Sequence, residues 1–76
     1  MNEKVITNLD RLKVMALEIE SEIKCMLEDI EEAREAENLD DFMGNTFCIR
    51  AQIDRVERKA RDMRDIVLRA EDLFDE

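Results

Sequence analysis

Apolar residues recur at Val5, Leu9, Leu12, Ala16, Ile19, Ile23, Met26, Ile30 and Ala33, in alternating steps of four and three. That spacing keeps one stripe of a helix facing a second helix. A second stripe runs through Phe42, Thr46, Ile49, Ile53, Val56, Ala60, Met63, Val67, Ala70 and Phe74 with the same steps. Carried forward, the first stripe would fall on Glu37, Asp40 and Gly44, two residues out of phase with the second. One unbroken helix would have to change its apolar face at an acidic junction, so a reversal is expected there.

The expected fold is therefore all-α, an antiparallel two-helix hairpin of coiled-coil character. It forms one domain over residues 1–76, with a helix over 3–37, a turn over 38–40 and a helix over 41–75. Asn2 is the simplest cap for the first helix, ahead of Thr7 and Asn8. In the turn, Asn38 suits the left-handed conformation that ends helices, Leu39 can fold back on the last turn, and Asp40 can cap the second helix. Gly44-Asn45 is the competing turn, set aside because Phe42 already obeys the second stripe.

Folding back near residues 39–40 pairs positions whose numbers add to about 79. Leu9 then meets Ala70, Ala16 meets Met63, Ile23 meets Val56 and Ile30 meets Ile49. The flanks differ. On one, Glu22 falls opposite Lys59 and Met15 opposite Ile66; on the other, Lys13 meets Arg64 and Glu20 meets Glu57, like against like. A second copy related by a twofold axis would relieve that flank by offering Glu57 to Lys13 and Arg64 to Glu20. It would also cover Ile6 and the apolar contacts expected at Met15, Leu17, Ile66, Leu68 and Leu73. The expected assembly is a homodimer forming a four-helix bundle, with a complex between the hairpin and another helical protein as its rival.

Composition narrows this picture. A chain of 76 residues rarely stabilises itself without a staple or a partner. There is no proline, tryptophan, tyrosine or histidine, only one glycine, and 43% of residues are charged, as in long exposed helices. The net charge of −9 argues against direct binding to nucleic acid or an anionic membrane. No apolar run has the length of a membrane span, and Met1-Asn2-Glu3-Lys4 leads straight into the stripe rather than into a signal peptide. A cytoplasmic location is expected.

The candidate chemistry is sparse. With no histidine, nothing is placed to activate a serine or cysteine, and carboxylate pairs such as Glu18 and Glu22 lie on solvated helix surface. Cys25 and Cys48 fall roughly 9 Å apart along the axis, too far for an intramolecular disulfide. No catalytic group, cofactor or metal site is expected. Charge is more telling. The second helix balances itself in ladders such as Arg50, Asp54, Arg58 and Asp62. From Glu28 to Asp41, by contrast, eight acidic residues, among them Glu28, Glu31, Glu32, Glu35, Asp40 and Asp41, have only Arg34 as local counter-charge. This acidic end is either a solubilising surface or a docking site for a basic partner. The leading expectation is a non-enzymatic protein-binding hairpin acting as adaptor, assembly factor or inhibitor. The alternative is an acidic nucleic-acid mimic that blocks the basic groove of a nuclease or regulator.

Overall fold

The computed structural model describes residues 1–75 and is an antiparallel helical hairpin. Helix α1 spans Glu3–Arg34 and helix α2 spans Leu39–Phe74. Together they make a rod measuring 58 × 15 × 10 Å.

Side-chain chemistry at the helix ends explains where each begins. Asn2 has extended backbone angles, and its Oδ1 accepts from the Val5 N–H at 2.9 Å. The same side chain donates from Nδ2 to the Leu73 carbonyl at 2.8 Å, tying the start of α1 to the end of α2. At the turn, Asn38 is itself the cap of α2: its Oδ1 accepts from the Asp41 N–H at 2.8 Å, and its Nδ2 donates to Asp41 Oδ2 at 3.1 Å. Asp40 and Asp41 then occupy the first turn, where carboxylates suit the helix dipole.

The turn therefore sits a little earlier than its sequence suggested. Helix α1 ends at Arg34 rather than 37, and α2 begins at Leu39 rather than 41. Asn38 is extended, with φ −144°, instead of left-handed, because capping α2 satisfies donors that a left-handed stop would leave open. Leu39 is 71% exposed and does not fold back, and Asp40 is not the cap. Helix α2 runs straight through Gly44-Asn45.

The cross-helix bonds fix the register. Asn2 reaches Leu73, Glu18 reaches Lys59, Glu22 reaches Arg55 and Asp29 reaches Gln52, so paired positions add to 75, 77, 77 and 81. That agrees with pairing about a sum near 79. The flank pairing shifts by one helical turn: Glu22 takes Arg55, and Lys59 takes Glu18 at 2.7 Å.

Which columns meet is the principal difference from expectation. Val5, Leu12, Ile19, Met26 and Ala33 face α2 as expected. The column beside them is Asn8, Met15, Glu22 and Asp29, three residues on, and not Leu9, Ala16, Ile23 and Ile30, four residues on. In α2, likewise, Gln52, Lys59, Ile66 and Leu73 turn inward while Ile53, Ala60, Val67 and Phe74 lie at the edge. Two helices share a single seam, so each can present about two columns to the other. The polar column is chosen where Arg55 and Lys59 can reach Glu22 and Glu18. The buried apolar core is consequently small, comprising Val5, Ile66 and Ala70, joined by Asn8 and Gln52.

Candidate protein-docking surfaces

Rotating both helices the same way leaves their displaced apolar columns on one side of the rod. Leu9, Ile23 and Ile30 on α1 and Ile53, Val67 and Phe74 on α2 are all substantially exposed. Near the open end these columns converge: Val5, Leu9, Leu12, Val67, Ala70 and Phe74 line one shallow, almost wholly apolar concavity. The opposite side is built differently. There a shallow concavity is lined by Arg11, Met15, Asp62, Asp65, Ile66 and Arg69, and the Glu22–Arg55 and Glu18–Lys59 pairs lie along the same flank. The rod thus has one apolar and one charged broad face.

The residues singled out for apolar contacts part company. Ile66 is buried between the helices, and Met15 and Leu73 are half-buried there, so the hairpin itself consumes much of their surface. The hairpin itself thus covers part of the surface expected to meet a partner, and the cause is the column rotation. Leu17 and Leu68 remain exposed, but they lie on the outer edges of different helices and point away from each other. They do not form one patch. The exposed apolar face was already legible in the sequence: it is made of stripe positions, which a two-helix seam is too narrow to bury whole.

At the closed end, Glu32, Glu35, Glu37, Asp40 and Asp41 line an open polar surface together with Ala36, Gly44 and Asn45. Glu28 and Glu31 are exposed on the neighbouring turns of α1. Arg34 donates to Glu31 at 3.2 Å, and Asp29 is drawn away into the seam by Gln52. The remaining carboxylates keep this end strongly anionic.

Among the described residues, Arg55 is the one whose acidity is clearly shifted. Its guanidinium is held above the ordinary arginine range, chiefly by its hydrogen bond to Glu22, with a smaller opposing effect of desolvation. Cys25 and Cys48 are free thiols, both exposed, on the charged flank. Among the described residues no cluster of His, Cys, Asp and Glu converges as a metal site, and no helix is long and apolar enough to cross a membrane. No family model matches this chain, and no curated protein and no solved structure matches it either.

Proposed function

We propose that this chain is a non-enzymatic protein-binding hairpin, an adaptor, assembly factor or inhibitor that works by docking its apolar face onto another helical surface. The observation that carries the reading is the side-by-side exposure of Leu9, Ile23, Ile53 and Val67 on one face of the rod. A folded monomer of 9.0 kDa would ordinarily expose about 4,900 Å². This one exposes 6030 Å², roughly 1,100 Å² more, as a two-helix rod with a small core must. Exposed apolar side chains gathered on one face, converging near the open end of the rod, favour burial against protein over exposure to water.

Affinity capture from the native host tests this, comparing the unaltered chain with an Ile23→Asp, Val67→Asp variant. A protein held by the first and lost by the second is the expected result. Equal retention by both sinks the reading.

The exposed carboxylates around Glu32, Glu35, Asp40 and Asp41 favour a second reading, in which the closed end imitates nucleic acid in a basic groove. That reading requires capture to collapse between low and moderate salt and to fail when Glu31, Glu32 and Glu35 become glutamine. Docking through the apolar face requires neither.

A further inference from the structure

We propose that the occupant of the apolar face is a second copy of this chain, packed head to tail about a twofold axis that crosses the rod at Ala16 and Ala60. The proposal rests on the docking role of that face and adds the partner and its orientation.

Ala16 and Ala60 lie at the same height on the rod, since the salt bridges pair positions adding to 77. An axis through both, at right angles to the helices, sets α1 against the partner copy's α1 and α2 against its α2, each antiparallel. Leu9 then meets Ile23 of the second copy, Ile53 meets Val67, and each alanine meets itself, giving the axis its closest approach. The apolar columns thus meet each other from Leu9 to Ile23 on α1 and from Ile53 to Val67 on α2, and the inner columns of four helices become one core.

Charge decides the orientation. One column further out on the same side stand Lys13 and Glu20 on α1, and Arg50, Glu57, Arg64 and Glu71 on α2. About the axis through Ala16 and Ala60, Lys13 falls on Glu20, Glu57 on Arg64 and Arg50 on Glu71, each pair occurring twice. Every one of these is attractive. In the other symmetric arrangement, with the axis along the rod, α1 lies against α2 of the second copy at equal height. Lys13 would then face Arg64, and Glu20 would face Glu57, both repulsive. That arrangement also places the two acidic turns at one end, whereas the head-to-tail pair separates them by the length of the rod, 58 Å. The Glu20–Lys24 pair within α1, at 3.4 Å and exposed, leaves Glu20 free to turn.

Sedimentation equilibrium at tens of micromolar, on the unaltered chain and on charge variants, tests this. The expected mass is twice the 9.0 kDa chain. Lys13→Glu should weaken the dimer roughly three- to tenfold at low salt, and adding Glu20→Lys should restore it. In the other arrangement Lys13→Glu would tighten the dimer, and that result overturns the head-to-tail pairing. A mass of 9.0 kDa throughout overturns self-association altogether, while the capture experiment still judges docking to another protein. Because Lys13 is exposed, the variants should keep the helical circular dichroism of the parent. With Cys25→Ser and Cys48→Ser in place, Ala16→Cys should form a covalent dimer on oxidation or with a short thiol cross-linker. Failure to link in a chain of dimeric mass counts against this axis.

Discussion

Gln52 donates from Nε2 to Asp29 Oδ2 at 2.6 Å across the helix pair, and its own Oε1 is buried without a partner. The bond joins two positions that an all-apolar seam would have given to leucine. An unsatisfied buried carbonyl costs about 1–3 kcal/mol, while a single neutral-to-charged hydrogen bond returns about as much. Gln52→Leu removes both, adds apolar contact, and leaves a half-exposed Asp29 that water can serve. The expected outcome is a gain of about 1 kcal/mol in urea unfolding followed by circular dichroism at fixed protein concentration. Asp29→Ala should do the reverse, stranding the amide as well as the carbonyl, at a cost of about 1–3 kcal/mol. A Gln52→Leu chain less stable than its parent would mean the Asp29 bond outweighs the orphaned oxygen.

That polar seam also marks where sequence reasoning stops. The hairpin, its approximate register and the Asn2 cap follow from periodicity and from amide chemistry at a helix start. Leu9, Ile23 and Ile30 are equally plain as apolar positions, yet each is at least 39% exposed. Periodicity says which residues avoid water; it does not say which of two adjacent columns a single neighbouring helix will cover. The choice is made by Arg55 and Lys59, long side chains that reach Glu22 and Glu18 only when the polar column turns inward. Asn38 is ambiguous for a different reason. An asparagine at a helix junction can end one helix or start the next, and only its bond to the Asp41 N–H decides.

Asn2 performs two tasks that can be separated. Its Oδ1 caps α1 through Val5, and its Nδ2 holds the Leu73 carbonyl. Asn2→Asp should keep the cap and lose the tether, whereas Asn2→Ala should lose both, for a cost of about 1–2 kcal/mol. Asn38→Ala removes an exposed cap with no tether and should cost about 1 kcal/mol. Thermal melts should rank Asn2→Ala as the most damaging of the three. If Asn2→Asp equals the parent, the link to Leu73 contributes nothing.

Arg55 supplies a prediction about alkali. Its folded-state pKa is raised, so its contribution is complete below the unfolded value and is lost only as pH climbs through the folded one, far above neutrality. Between about pH 7 and 11 the Arg55–Glu22 pair should therefore not weaken. Arg55→Lys brings the loss into reach, because an ordinary lysine titrates near ~10.4 and a raised one somewhat higher. Melts of the two chains should run parallel up to about pH 10 and diverge above it, the lysine variant falling faster. The two chains are otherwise identical, so the difference isolates position 55, and parallel behaviour to about pH 12 would show the ion pair to be energetically silent.

Gly44 lies inside α2 beside the acidic end, has no positive φ, and a Cβ built there would meet nothing within 4 Å. Nothing in the folded chain requires glycine, and its flexibility favours the unfolded state and the rival turn at Gly44-Asn45. Gly44→Ala should therefore stabilise the hairpin by about 0.5–1 kcal/mol, visible as a higher midpoint in thermal or urea unfolding. The change leaves every charge around Glu35, Asp40 and Asp41 in place. It thereby separates two explanations of any activity at that end. A surface that works by its carboxylates alone should bind the same partner with unchanged salt dependence when Gly44 is alanine. Binding that weakens as the helix stiffens would show instead that the start of α2 must bend open at Gly44 to engage what it meets.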